Sequence, residues 1–78
     1  MTAKEMFEEL GYKLDINHNF LDYWKFEETK YAVISRHIWF DLNNKSYSTI
    51  NIYEIAKIDM PTHRAIQKQL EELGWLKE

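Results

Sequence analysis

Seventy-eight residues, 45% hydrophobic and 15% aromatic, make one small domain spanning 1–78 with room for a single core. The absence of cysteine excludes disulfide staples and thiolate metal sites, and the net charge of −3 gives neither the basic excess that draws in nucleic acid nor the acidic excess that keeps a chain unfolded. The opening MTAKEMFEEL is charged where a signal peptide needs an apolar run, and no apolar stretch approaches membrane-spanning length, so a soluble, cytoplasmic protein is expected.

The first element predicted is a helix over 2–10. Thr2 followed by Glu5 fits a capping box, in which hydroxyl and carboxylate each accept a backbone N–H of the first turn. Ala3, Met6, Phe7 and Leu10 form an apolar stripe at helical spacing. Gly11 supplies the left-handed residue that ends the helix, which places Phe7 and Tyr12 at the two positions whose side chains meet in a Schellman cap.

Two segments rich in aromatic and β-branched residues follow, 20–28 and 30–42, joined by a turn at EETK (27–30). In the second, Ala32, Ile34, Ile38, Phe40 and Leu42 share one parity, interrupted by Arg36, and Tyr31, Val33, Ser35, His37, Trp39 and Asp41 take the other. That alternation predicts a strand with one buried and one half-wet face. Asn43-Asn44 suits a two-residue hairpin turn, because asparagine tolerates positive φ. A third strand over 45–50 then returns antiparallel, with Phe40 opposite Tyr47 and Ile38 opposite Thr49. Residues 51–58 alternate like a strand but also fit a helical turn, and periodicity leaves both readings open.

A second helix is predicted over 60–73, with Asp59 as its cap, Pro61 in its first turn and Ala65, Ile66, Leu70 and Leu73 as its stripe. Gly74 ends it, and Leu70 closes onto Trp75. The near-repeat of FEELGYK (7–13) and LEELGWLK (70–77), which contains both glycines of the chain, therefore reads as two helix stops. The expected fold is α+β in the order α-β-β-β-α, a three-stranded antiparallel meander with two helices packed on one face. Its expected core holds Met6, Phe7, Leu10, Ile34, Ile38, Phe40, Ile66, Leu70, Leu73 and Trp75.

The sequence offers no catalytic or cofactor signature. His18, His37 and His63 lie at no metal-ligand spacing, neither glycine belongs to a phosphate loop, and Ser35, Ser46 and Ser48 lack a nucleophile's context. No enzyme, metal or cofactor is expected. Glu8, Glu9, Glu71 and Glu72 crowd two helix C-termini, where the macrodipole disfavours negative charge. They read first as a solvated face and second as an acidic patch for a basic partner.

The rings of YW (23–24) and HIWF (37–40) admit base stacking, with Lys25, Lys30, Arg36 and Lys45 as the basic residues available. Acids interleave them at Asp22, Glu27, Glu28 and Asp41, so nucleic acid is disfavoured. A sheet face left uncovered by the helices, bearing Tyr23, His37 and Trp39, is the expected binding surface, for a protein partner or a second copy of the chain.

The phrases TAKEMFEELGY, YW, IWFDL and AIQKQLEELGW together resemble small uncharacterised proteins encoded by phages and prophages of Gram-positive bacteria. The resemblance covers both helices and part of the sheet, rests on capping and core motifs, and is weakest over 48–60. It implies a short accessory protein made inside an infected or lysogenic bacterium, with a partner from phage or host. As an alternative, residues 48–78 resemble the end of a winged helix-turn-helix domain, which implies a small DNA-binding protein reading duplex through His63, Arg64, Gln67 and Lys68. Against that stand the short 56–61 connection, the strands preceding the helix, and the overall acidity.

Overall fold

In a computed structural model, residues 1–28, 30–50 and 57–76 are described. The order of elements is α1 (Ala3–Glu9), β1 (Lys13–Ile16), β2 (Phe20–Glu28), β3 (Val33–Asp41), β4 (Ser46–Ile50) and α2 (Met60–Leu73). The fold is α+β. Contacts cluster into a helical unit, Met1–Tyr12 with the chain from Lys57 onward, and a sheet unit that begins at Lys13. Among the described residues no helix is long and apolar enough to cross a membrane.

Both predicted helix stops form. Gly11 takes φ 92° and Gly74 φ 76°. At the first, the Tyr12 and Gly11 amides donate to the Phe7 and Glu8 carbonyls, each at 3.0 Å, the paired bonds of a Schellman cap. Phe7 and Tyr12 meet edge-on at 5.4 Å between ring centroids. At the second, Trp75 donates to Leu70 at 3.1 Å and Gly74 to Glu71 at 3.0 Å. The N-termini also follow the sequence. The Glu5 amide donates to Thr2 Oγ1 at 3.2 Å, and the Thr2 amide to Glu5 Oε1 at 2.9 Å. The Thr62 amide donates to Asp59 Oδ1 at 2.8 Å.

The two helices are linked by a bond that spacing does not reveal. Glu72 Oε2 accepts from the Ala3 amide at 2.8 Å, so a carboxylate near the end of α2 sits at the start of α1. There it meets the positive end of a dipole, where negative charge is favoured. With Glu8 beside Lys4 at 3.6 Å and Glu71 beside Lys68 at 4.0 Å, three of the glutamates read as an acidic patch have partners within the helical unit. Among the described residues of this unit, Ala3, Phe7, Tyr12, Thr62, Ala65, Ile66 and Gln69 are buried.

Among the described residues the sheet has four strands, not three. They run in sequence order β1-β2-β3-β4, each antiparallel to the next. The added strand, β1, pairs Leu14 with Tyr23 and Ile16 with Leu21. Its turn is set by Asn17, whose Oδ1 accepts the amides of Asn19 and Phe20, both at 2.8 Å, a local bond that closes a tight turn without glycine. Between β3 and β4 the predicted register holds, Phe40 opposite Tyr47 and Ile38 opposite Thr49, but the paired residues stop at Asp41 and Ser46. The left-handed residue is Lys45, at φ 51°, and not an asparagine. Asp41 stabilises the turn by accepting from the Asn43 and Asn44 amides at 3.0 and 3.1 Å and from Asn44 Nδ2 at 2.8 Å. The turn expected at 27–30 begins later, since β2 continues through Glu28, which pairs with Val33. Thr29 and residues 51–56 lie outside the described residues; of the stretch 51–58, over which strand and helix were left open, Lys57 and Ile58 are described and belong to neither.

Of the predicted core, Phe7, Ile34, Ile38, Phe40 and Ile66 are buried, and Met6, Leu10, Leu70, Leu73 and Trp75 are half-buried.

Candidate functional site

Strand register divides the sheet's side chains between two faces. Leu21, Tyr23, Lys25 and Glu27 of β2 lie opposite Phe40, Ile38, Arg36 and Ile34 of β3, and this face holds the buried residues of the sheet. Tyr23 belongs here. It is 2% exposed and edge-on to Phe40 at 6.0 Å, so it does not join Trp39 and His37 as the sequence reading expected. Both parities of β2 carry rings, and only the pairing of Tyr23 with Ile38 fixes its side.

The opposite face carries Phe20, Asp22, Trp24 and Phe26 from β2, and Val33, Ser35, His37, Trp39 and Asp41 from β3. β1 adds Lys13 and Asp15, opposite Trp24 and Asp22, and β4 adds Ser46, Ser48 and Ile50. Phe26 is 67% exposed, Val33 62% and Trp39 37%. The rings form two groups: Phe20 with Trp39 at 5.7 Å and Trp39 with His37 at 6.2 Å, and separately Trp24 with Phe26 at 5.4 Å. Lys13 Nζ stands 5.4 Å from the centre of the Trp24 ring, a cation–π contact across the first strand pair.

His37 is held at both ring nitrogens. Nδ1 lies 3.0 and 3.1 Å from the two carboxylate oxygens of Asp22, and Nε2 lies 3.2 Å from Ser35 Oγ. A carboxylate only accepts, so Nδ1 carries the proton and, in the neutral ring, Nε2 accepts from the serine hydroxyl. This is the connectivity of a serine–histidine–aspartate relay. Acyl transfer needs two further parts, a cleft and free donors aimed at a developing oxyanion. Ser35 instead lies within a strand, paired across from Phe26 on an open sheet face. Fixing the imidazole beside Trp39 is the role this geometry supports. The relay was not legible beforehand, because Asp22 reaches His37 across strands; serine two residues before histidine on a strand was the only local signal.

The remaining residues singled out in the sequence are dispersed. His63, Arg64 and Gln67 are exposed and Lys68 half-buried on α2, whose buried residues are Thr62, Ala65, Ile66 and Gln69. His18 is exposed in the β1–β2 turn. Among the described residues no group of acidic or histidine side chains is placed to hold a metal ion. Of the cations that base stacking required, Lys25 and Arg36 lie on the Tyr23 face, against Glu27 at 3.7 and 3.3 Å. Lys30 sits over Tyr31 at 6.0 Å, and Lys45 is in the β3–β4 turn. In the helical unit, Met1, Met6, Glu9, Leu10, Pro61 and Arg64 line a recess of about 160 Å³. That is smaller than the roughly 300–1,000 Å³ of small-molecule pockets.

Comparison with known proteins returns no likeness to place beside this geometry: no family model, curated protein or solved structure matches the chain.

Proposed function

We propose that this chain is a non-enzymatic accessory module that works by binding another protein, through the sheet face bearing Trp39. The observation that carries the reading is the exposure of Phe26, Val33 and Trp39 on a single face of a regular sheet. Isolated apolar residues at a surface are ordinary, whereas several on one ordered face are a feature of interaction sites. Histidine and tryptophan held by neighbouring side chains lose little freedom on binding, which suits them as anchors. The phage or prophage setting is part of the proposal and rests on the resemblance of the opening, central and closing phrases of the sequence.

The test is site-specific photo-crosslinking in cells of a Gram-positive host. A photoreactive side chain at Phe26 should give one discrete adduct, and the same group at Gln67 on α2 should give none. Adducts at Gln67 alone, or none at Phe26, would overturn the assignment of the face. The DNA-binding alternative predicts a salt-sensitive duplex shift that Arg64→Ala and Lys68→Ala weaken together.

A further inference from the structure

We infer that the segment received by the Trp39 face is basic, and that Trp39 is the seat of an arginine or lysine from the partner. This rests on the proposed interaction role and adds the partner's chemistry to it.

Three observations converge. The first is charge. Among the described residues, strand register puts Asp15, Asp22, Glu28 and Asp41 on this face with a single fixed cation, Lys13. The other cations of the two central strands, Lys25 and Arg36, are on the opposite face beside Glu27. The segregation disfavours two other occupants. A nucleic-acid strand would bring phosphates against carboxylates. A second copy meeting the first through this face would set the same acids against themselves.

The second observation is that Asp15 and Asp22 are direct cross-strand partners. Like charges in that relation destabilise a sheet. Asp22 is compensated in part by His37, whereas Asp15 is exposed. A cation arriving above the pair would relieve the repulsion.

The third is that the face already makes this kind of contact within the chain. Trp24 has Lys13 over its ring. Trp39, the next indole on the same face, has no cation over it among the described residues. Its neighbours are Asp22 across the strand pair and Asp41 two residues along its own strand. A guanidinium lying on the exposed indole is thus within the field of both carboxylates, and attraction to the ring face adds to pairing with the acids. Asp22 is fixed by its bonds to His37, so it offers a set acceptor.

The experiment uses the full chain and a short peptide alternating arginine and serine, with a control peptide in which citrulline replaces each arginine. Binding is followed by the indole N–H resonances and by titration calorimetry at two salt concentrations. The arginine peptide should shift Trp39 ahead of Trp75, weaken with added salt, and outbind the citrulline peptide. Trp39→Leu keeps apolar bulk without the ring and should weaken binding roughly three- to tenfold, with Trp39→Phe recovering part of the loss. Asp15→Asn, at an exposed position, should weaken it in the same direction without disturbing the fold. Equal binding of the two peptides, or full affinity in Trp39→Leu and Asp15→Asn, would overturn the inference. If neither peptide binds, crosslinking at Phe26 separates the two ideas. A captured partner whose contact segment lacks arginine and lysine sinks the basic-partner inference and spares the interaction role. No adduct at Phe26 removes both.

Discussion

Gly74 permits a clean test of the helix-stop reasoning, because its local geometry separates backbone strain from packing. The residue has φ 76°, and a Cβ added there meets no atom of the described residues within 4 Å, its own chain neighbours aside. Replacing it with alanine therefore introduces no clash, and the cost is conformational alone. Holding an L-residue in the left-handed region costs about 1–2 kcal/mol. Alanine also restricts the unfolded chain more than glycine does, which returns about 0.4–1 kcal/mol. The net expectation for Gly74→Ala is a loss centred on about 0.8 kcal/mol within a span of about 0–1.6, which at the centre is a fall in Tm of roughly 3–6 °C for a domain of this size. D-alanine occupies the same empty space but prefers positive φ. It removes the strain and keeps the unfolded-state effect, so it should stabilise by about 0.4–1 kcal/mol. Both chains are within reach of total synthesis. Urea and thermal unfolding followed by far-UV circular dichroism would give the two values. Equal stability of the L- and D-alanine proteins would refute the reasoning, since it would mean that the sign of φ at this position carries no energy.

Other outcomes follow from the sheet. Tyr23→Ala removes a buried ring and should cost about 3–5 kcal/mol, as large-to-small changes at buried aromatics do, whereas Trp39→Ala on the exposed face should cost distinctly less; equal losses in urea denaturation would contradict the assignment of the two faces. Asp41 is held below its ordinary value, first by the Asn44 side-chain amide and then by the Asn44 backbone amide, with an opposing effect of desolvation next and the Asn43 backbone amide the smallest contribution. A depressed folded-state pKa means that the stabilisation is present above the ordinary aspartate value and is lost as pH falls through the lowered one. The Asn43 and Asn44 amide resonances should therefore move below the usual aspartate range, and a midpoint at or above about 3.9 would show that the turn does not favour the charged carboxylate.

The parts of this protein that were legible in the sequence are those fixed by neighbours a few residues apart. Thr2 with Glu5, Asp59 with Thr62, and Phe7-Gly11-Tyr12 with Leu70-Gly74-Trp75 all act within one helical turn or one cap. The register of β3 on β4 was likewise fixed by a short turn, and it survived an error in the left-handed residue, Lys45 in place of an asparagine, because both turn geometries set Phe40 against Tyr47. β1 escaped notice because it has four residues, two of them charged, and its turn relies on an Asn17 side chain in place of glycine or proline.

The sequence by itself determined where the helices begin and stop and which residues of β3 share a face, since caps and a two-residue period are local properties. Tertiary structure alone decided which rings of β2 join them. Tyr23 and Trp24 are adjacent and both aromatic, so composition cannot rank them, and only the pairing of Tyr23 with Ile38 sends one to the buried face and the other toward Trp39. The same cross-strand register brings Asp22 to His37, and the packing of α2 on α1 brings Glu72 to the Ala3 amide, contacts between residues 15 and 69 positions apart in the chain. Such bonds leave no periodic trace in a sequence, because their spacing depends on how the chain returns and not on the geometry of any one element.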